Sequence, residues 1–486
     1  MACTTILVGK KASCDGSTMI ARNDDSPSGV FHIKKLVRVE GRDKPLLYQS
    51  VLTKFKIELP AGSLAYTAMP NANPKKEGVW AAAGMNEADV GMTATETITS
   101  NPRVLGADPY VKDGIGEEDL VAIVLPYIHS AREGVLRLGS LIEKYGTYEP
   151  NGIGFNDENE VWWLESIGGH HWMAKRVKDD SYVVMPNQLG IDCFDFEDAY
   201  GAKKEHLCAE DLLSWSKKNH LFLDQVDKSH LFLDQGEKVN PRLAYGSHDD
   251  SDHVYNTPRA WYMLRYFNPR SMHFDGPDAY HPEDDDLPWS ALPEHKITLE
   301  EVKHALSSHY QGTPFDPYAP GAVQDGINHT PYRPIGVNRT AFYALLQVRG
   351  YAKEGAKSIE WFSFGSNVFN EQVPFFPFGK KVPSYYGNTK EGEVSTDSFY
   401  WANRLLGALA DAHFSSTSLE IERYQNAVSE KAHEVVNEVD EGKIATLEEA
   451  NQKMADEAKK LTNEALGKVL FVSSCHMKNA FSRSDR

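Results

Sequence analysis

The sequence has few cysteines, no long apolar run and no excess of basic residues. Five of its 486 residues are cysteines, and none has the CxxC spacing of a metal or redox motif, so we expect reduced thiols. No apolar stretch approaches the length of a membrane span, and the first residues lack the basic and then apolar pattern of a signal peptide. We therefore expect a cytoplasmic protein.

The charge balance is acidic. Lys and Arg total 51 against 69 Asp and Glu, which gives a formal net charge of −18. Such a chain is repelled by phosphate backbones and anionic lipid surfaces, so neither nucleic acid nor a membrane is an expected partner. The length is sufficient for one large domain or two to three average ones, each with an extensive core.

The stretch from Cys3 to Asp25 organises the rest of the chain. Residues 4–8 and 18–21 are mostly apolar or β-branched, and they flank a polar, glycine-ended segment at 10–16. This pattern predicts a β-hairpin. With its loop centred near residue 13, antiparallel pairing puts Cys3 opposite about residue 23. We therefore expect Arg22 and Asp25 to return to the side of Cys3.

The place of Cys3 suggests a nucleophile, because only Met1 and the small Ala2 precede it. If both are removed, Cys3 carries an α-amine with an unperturbed pKa of about 7.7–8, which can take the proton of its own thiol. The guanidinium of Arg22 would favour the thiolate, and Asp25 could accept a hydrogen bond from this amine or from a substrate ammonium. The alternative is a small buried apolar residue, the commoner role of such a cysteine.

Several stretches together resemble a known family of enzymes. They are MACTTILVGKKASCDGSTMIARNDDS, GMNEADVGMTATETI, EVWWLESIGGHHWMAKRV, YVVMPNQ, YNTPRAWYMLRYFNP, GTPFDPY and RPIGVNRT. The resemblance is to the dipeptidase A family of N-terminal-nucleophile cysteine hydrolases, which is related to secernins and, distantly, to penicillin V acylase and bile salt hydrolase. It implies an α+β fold, a four-layer αββα sandwich with a helical C-terminal region. It also implies no metal or other cofactor, and hydrolysis of dipeptides by an N-terminal cysteine.

The resemblance further implies partners for Cys3. Asn187, at the end of a predicted strand, matches an asparagine of the oxyanion hole, and Arg259 matches an arginine that points at the cysteine in the related acylases. Where those acylases carry another oxyanion-hole asparagine, this sequence offers Thr95 or Glu96, and the choice stays open. The predicted catalytic residues are Cys3, Arg22, Asp25, Asn187 and Arg259, and the predicted substrate-binding residues are Asp25, Thr95 and Glu96.

Patterning along the chain predicts sheets and helices in blocks. Residues 117–125 and 130–145 read as two helices, the second with a capping box from Ser130, and residues 152–187 as an antiparallel meander. We predict a hydrolase core at 3–393, with a helical peripheral insertion near 201–240 that contains the near-duplication NHLFLDQVDK and SHLFLDQGEK. Residues 394–486 form a helical extension, with capping boxes at Thr417 and Thr446, that could assemble a homo-oligomer.

Two further groups of residues carry possible metal ligands. His170 and His171 are adjacent, so in a strand they face opposite sides, and we expect one packed and one solvated side chain. The segment SHDDSDH at 247–253 has suitable donor atoms, but its spacing matches no established metal site. Its possible ligands are His248, Asp249, Asp250 and His253.

Three other functions are compatible with the sequence. An acylase for non-peptide amides, such as N-acyl amino acids or bile salt conjugates, would share the fold. A metal-dependent hydrolase would instead use the ligands of the 247–253 segment. The third alternative is an unprocessed, inactive structural member of the family. A substrate panel, chelation and the intact mass of the protein distinguish the three.

Overall fold

The structure is a computed structural model that describes residues 3–222, 238–324 and 327–477; at residues 95, 96, 323, 324, 327 and 328 it describes the backbone only. The predicted near-duplication at 219–238 lies mostly outside the described residues. Two large sheets stack face to face, and helices cover both outer faces. The predicted α+β class and four-layer arrangement are therefore confirmed.

The described strands are, in chain order, β1 (Thr4–Val8), β2 (Thr18–Asp25), β3 (Val37–Val39), β4 (Leu46–Gln49), β5 (Lys56–Leu59), β6 (Tyr66–Ala68), β7 (Ala83–Met85), β8 (Gly91–Thr97), β9 (Asn151–Asn156), β10 (Val161–Ile167), β11 (His171–Val177), β12 (Tyr182–Met185), β13 (Phe194–Asp195), β14 (His206–Cys208), β15 (Lys238–Val239), β16 (Ser290–Ala291), β17 (Val323–Gln324), β18 (Ile327–Asn328), β19 (Thr340–Val348), β20 (Ser358–Phe364) and β21 (Val373–Phe375).

The described α-helices are α1 (Pro74–Glu77), α2 (Pro102–Ala107), α3 (Glu117–Val124), α4 (Ala131–Tyr145), α5 (Phe196–Tyr200), α6 (Leu212–Lys218), α7 (Pro241–Tyr245), α8 (Asp250–Tyr255), α9 (Thr257–Phe267), α10 (Leu299–Leu306), α11 (Ser384–Gly387), α12 (Phe399–Asp411), α13 (Phe414–Asp440) and α14 (Leu447–Cys475), and a 3₁₀ turn covers Leu125–Tyr127.

The two large sheets are antiparallel throughout. The first has the order β16-β12-β1-β2-β19-β20-β21, so β1 and β2 lie near its centre. The second has the order β14-β11-β10-β9-β8-β7 and contains β9, β10 and β11 of the predicted meander. The last predicted strand of the meander, β12, is instead in the first sheet, where it pairs with β1. Both sheets contain hairpins of consecutive strands, as expected for antiparallel pairing, and the first sheet also pairs strands distant in sequence, such as β1 with β12 and β2 with β19.

The inner faces of the two sheets contact each other at several points along their strands. At one end, Asn156 Nδ2 on β9 donates to Thr18 Oγ1 on β2 and to the Leu346 carbonyl on β19, each at 3.1 Å. Further along, Gly154 lies so close to the first sheet that a Cβ there would be 3.2 Å from Leu7 Cδ2. The opposite end of this interface is where Cys3 lies.

Helices form the two outer layers for reasons that the sequence shows locally. The predicted helices at 117–125 and 130–145 are confirmed as α3 and α4, and the Ser130 hydroxyl accepts from the Glu133 N–H as a cap. Helix α4 covers β9, β10 and β11, while α9 and α10 cover the outer face of the first sheet near β12, β1 and β2.

The C-terminal region is helical in its described part, as predicted. Helices α12, α13 and α14 pack on β20 and β21 and complete the outer layer over the first sheet. Of the predicted capping box at Thr446, the bond from the Glu449 N–H to the Thr446 hydroxyl is present. The capping box predicted at Thr417 is wrong, because α13 already begins at Phe414 and places Thr417 inside the helix. The domain division at 393 and the homo-oligomer stay predictions.

The region near 201–240 differs from the predicted helical insertion. Its described part contains α6, but residues His206–Cys208 form β14, which pairs with β11 and is the edge strand of the second sheet. A three-residue strand has too short an apolar pattern to be read from sequence, and pairing with β11 stabilises it. Among the described residues, no helix is both long and apolar enough to cross a membrane.

Candidate active site

Cys3 stands immediately before β1, between β12 and β2, and its side chain is fully buried. The predicted hairpin is confirmed, with its register shifted by one residue: Thr4 pairs with Asn23, so Cys3 falls opposite Asp24. Directly opposed residues of an antiparallel pair point to the same face of the sheet. The side chains of Cys3, Arg22 and Asp24 therefore share the face that looks toward the second sheet.

Arg22 connects the cysteine to the second sheet. Its Nη2 donates to Cys3 Sγ, and its Nη1 donates to the carbonyl oxygens of Ala82 and Ala94, at the start of β7 and within β8. The guanidinium is fully buried. A positive charge in this position favours the thiolate form of a neighbouring cysteine.

Two residues that were not predicted from the sequence, Asp24 and Lys34, form a charged network with Arg22. Asp24 Oδ1 lies 3.9 Å from Arg22 Nη2, and Asp24 Oδ2 lies 3.1 Å from Lys34 Nζ. All three side chains are buried. Burial raises the pKa of Asp24, but Lys34 and Arg22 outweigh it and hold this pKa below its ordinary value. The hairpin register was the signal for Asp24, while Lys34 lies outside the hairpin, at a single bridge to Asn71, where nothing local shows that it reaches Asp24.

Asp25 does not return to the side of Cys3 as expected. The one-residue shift in register exchanges the two aspartates, because neighbouring residues in a strand face opposite sides. Asp25 Oδ2 accepts from Arg333 Nη2, and Asp25 Oδ1 accepts from Thr340 Oγ1 at 2.6 Å. The carboxylate thus joins β2 to β19 and to the segment before it.

Asn187 lies beside the backbone of Cys3. It follows β12, whose Met185 pairs with Thr5 on β1, so the end of β12 reaches the level of Cys3. Asn187 Oδ1 accepts from the Cys3 backbone N–H at 3.2 Å. This contact uses the amide oxygen, so the side chain of Asn187 is bound to the backbone of Cys3.

Arg259 reaches the same point from the first turn of α9. Its Nη1 donates to the Cys3 carbonyl oxygen and, at 2.6 Å, to Thr4 Oγ1, while its Nη2 donates to Asn187 Oδ1 at 2.8 Å. The side chain is fully buried and is held by Asn256 Oδ1 at 2.7 Å and by the Tyr255 carbonyl at 2.7 Å. Arg259 thus binds the backbone of Cys3 and the oxygen of Asn187.

Strand β8 lies next to Arg22, but the choice between Thr95 and Glu96 stays open. The Ala94 carbonyl accepts from Arg22, and the register of β8 with β9 is irregular between Thr93 and Glu96. The side chains of Thr95 and Glu96 lie outside the described part of the structure. The backbone of this irregular segment is the part that the structure places near the site.

The possible metal ligands serve local structure. His170 and His171 both bind Asp108 through Nδ1, at 2.9 and 2.7 Å, and His171 is packed while His170 is half exposed, as expected. In the 247–253 segment, the Asp249 carboxylate caps α8. His248 Nε2 contacts the Arg242 carbonyl oxygen, and His253 Nε2 contacts Asp285 Oδ1, both at 3.1 Å. Within the described chain, no three His, Cys, Asp or Glu side chains are grouped to hold a metal ion.

Two features of the structure, the arrangement of its layers and the position of Cys3, indicate the class of protein. Two stacked antiparallel sheets between helical layers, with a buried cysteine at the start of a central inner strand, form the architecture of N-terminal-nucleophile hydrolases. The model of peptidase family C69 matches residues 2–427. The chain belongs to this family, and it is therefore an enzyme, a hydrolase of the peptidase class.

Similar proteins extend over the whole chain. A dipeptidase of Bifidobacterium longum is 48% identical, and the match covers 100% of both chains. A probable dipeptidase A of Streptococcus pyogenes serotype M3 is also 48% identical with full coverage, and dipeptidase A of Lactobacillus helveticus is 40% identical over 96% of each chain. Among solved structures, a mutant of the conjugated bile acid hydrolase of Clostridium perfringens is 12% identical and covers 77% of this chain and 96% of its own, with a TM-score of 0.29.

Proposed function

We propose that this protein is a cysteine-type dipeptidase in which Cys3, after removal of Met1 and Ala2, attacks the peptide bond of a dipeptide. The observation that carries the proposal is the buried Arg22 guanidinium on Cys3 Sγ, because it makes this thiol a better nucleophile than an ordinary buried cysteine. Full-length similarity to dipeptidases supports the substrate class.

The chemistry needs the free amine of Cys3. The α-amine takes the Sγ proton, and the thiolate forms a bond to the carbonyl carbon of the substrate, whose oxygen becomes an oxyanion. The ammonium then returns the proton to the leaving amine as the C–N bond breaks, which leaves a thioester on Cys3. A water molecule, deprotonated by the same amine, attacks the thioester and releases the N-terminal amino acid of the dipeptide and the Cys3 thiol.

Asn187 would stabilise the oxyanion. Its Oδ1 accepts from the Cys3 N–H and from Arg259, which holds the amide group beside Cys3, and an amide N–H is a suitable donor to the substrate oxygen. The irregular segment of β8 at 95 and 96 would supply the second donor or a contact to the substrate. Asp25 would support the site through Arg333 and Thr340, which anchor the end of β2.

The test combines processing with activity. We expect the mass of the active protein to correspond to a chain that begins at Cys3, and C3A to lose activity on dipeptides by at least 10³-fold. The control C14A changes an exposed thiol in the hairpin loop and should keep full activity. Active protein that retains Met1, or an active C3A, would refute the proposal. Activity on N-acyl amino acids in place of dipeptides would instead assign the acylase function.

A further inference from the structure

Another buried carboxyl group, that of Glu165, lies between the sheets and contacts the turn that follows β12. Glu165 is on β10 and is fully buried. Its Oε1 accepts from the backbone N–H groups of Gly190 and Ile191, at 2.7 and 3.3 Å, and from Trp163 Nε1 at 3.0 Å. Within the described residues, Oε2 has no hydrogen-bond partner.

The same turn is held from its other side by a buried arginine. Arg242 on α7 donates to the Gly190 carbonyl oxygen from Nη2 at 2.6 Å and from Nε at 3.2 Å. Its Nη1 donates to the Leu287 carbonyl at 2.5 Å. The N–H and the C=O of Gly190 are therefore both bound by buried ionisable side chains. Burial of such groups costs free energy, which indicates that the position of this loop matters.

The turn is closely packed against neighbouring side chains. A Cβ on Gly190 would lie 2.4 Å from Met185 Sδ and 3.0 Å from Trp289 Cδ1, so the turn folds directly onto the last residue of β12. Asn187 stands between Met185 and Gly190 in this short loop. Because both flanks of the loop are fixed, the side chain of Asn187 is fixed against Cys3.

We propose that Glu165 is a positioning residue for catalysis: it holds the 187–191 turn so that the amide of Asn187 meets the oxyanion. This inference rests on the proposed function, since it assigns a support to one of its residues. Misplacement of a catalytic group by about 1 Å can cost about 10²-fold in rate, so the hydrogen bonds of 2.7 and 3.3 Å that anchor this loop to Glu165 can determine kcat.

The chemistry of Glu165 suggests the informative variants. Burial raises the pKa of its carboxyl group to about 7, against the hydrogen bonds from Gly190, Trp163 and Ile191 that lower it. A neutral carboxamide therefore resembles one of its two forms near neutral pH. E165Q keeps an oxygen for the turn, E165D withdraws the carboxylate by one methylene, and E165L removes the acceptor.

We expect E165Q to keep kcat within about threefold, and E165D and E165L to lose kcat by about 10-fold to 100-fold with KM within about threefold. The matched control is E360L. Glu360 is also fully buried in a strand, and burial raises its pKa to about 7, but it lies on β20 of the first sheet. E360L should leave kcat and KM little changed.

A double-mutant cycle separates positioning from general stability. In an N187A background the turn has no oxyanion donor left to place, so E165D should then cost less than about twofold in kcat. E165D with the kcat of the native enzyme, or a full loss that persists in N187A, would overturn the inference. If E165L does not fold, E165D and E165Q still decide it. An active C3A would instead refute the proposed function itself, so the two failures are distinguishable.

Discussion

Two buried arginines meet at Cys3 from different regions of the molecule, and they contact different atoms. Arg22 comes from the adjacent strand β2 and donates to Sγ, whereas Arg259 comes from α9 and donates to the carbonyl oxygen of the same residue. The first side chain contacts the sulfur atom that we propose as the nucleophile. The second fixes the backbone and Asn187, so charge and position are supplied by separate parts of the fold.

The surroundings of the two arginines differ accordingly. Arg22 belongs to a buried row of charges with Asp24 and Lys34. Arg259 is held by neutral oxygen atoms and stacks over the ring of Tyr255, with its guanidinium 5.1 Å from the ring centre. A network of alternating charges tunes the electrostatic potential at the sulfur, whereas neutral hydrogen bonds mainly set a direction.

The largest effect on activity is expected if Arg22 loses its charge. We expect R22Q to reduce kcat/KM by about 10³-fold, because the thiolate and the developing charge lose their nearest cation. The alkylation of Cys3 by iodoacetamide at pH 7 should slow by at least 10-fold in parallel. Circular dichroism controls for folding. Unchanged alkylation would show that Arg22 does not activate the sulfur.

Replacement of Arg259 should affect the frame and leave the sulfur reactive. We expect R259Q to reduce kcat by about 10²-fold, since Asn187 loses the bond that orients its amide. Alkylation of Cys3 should stay within about threefold of the native rate. If R259Q slows alkylation as strongly as R22Q does, the two arginines share one role and the division is wrong.

Asp24 offers a smaller and pH-dependent effect. We expect D24N to lower kcat/KM by about 10-fold and the free energy of unfolding at pH 7 by about 3 kcal/mol, because Lys34 and Arg22 lose their buried counter-charge. The pKa of Asp24 is lowered in the folded state, so its contribution is present above its ordinary value of 3.8 and is lost as the pH falls further. Denaturant titrations of D24N and native protein should therefore converge at low pH.

The smallest effect on activity is expected far from both arginines. Burial raises the pKa of Glu360 from 4.5 to about 7, so its neutral form stabilises the fold at low pH, and this contribution is lost as the pH rises through about 7. E360Q should therefore gain about 1–3 kcal/mol relative to the native protein between pH 5 and pH 8, with kcat within twofold. An equal effect at both pH values would contradict the raised pKa.

The hairpin shows which features of the site can be predicted from local sequence patterns. Alternating residues and a polar turn were sufficient to predict β1, β2 and the return of Arg22 to Cys3. The exact register was not, because the loop conformation decides it, and a slip of one residue exchanged Asp24 for Asp25. Lys34 was not predicted, since nothing local to its segment shows which buried carboxylate it reaches.

Long-range partners required information that no local pattern holds. Arg259 stands 256 residues from Cys3 in the chain, and only a resemblance to related hydrolases connected the two. Glu165 lies within the predicted meander at 152–187, and a lone polar residue in an apolar strand does not reveal which turn it binds. Its role depends on how β10 and β12 are stacked in different sheets, a tertiary property.

Arg22 spans the interior, with its backbone in one sheet and its guanidinium on carbonyl groups of the other. The separation of the two sheets therefore sets how closely its charge approaches the sulfur. Hydrostatic pressure, which alters such internal spacings without changing a single residue, offers a mechanical means to adjust the reactivity of this enzyme.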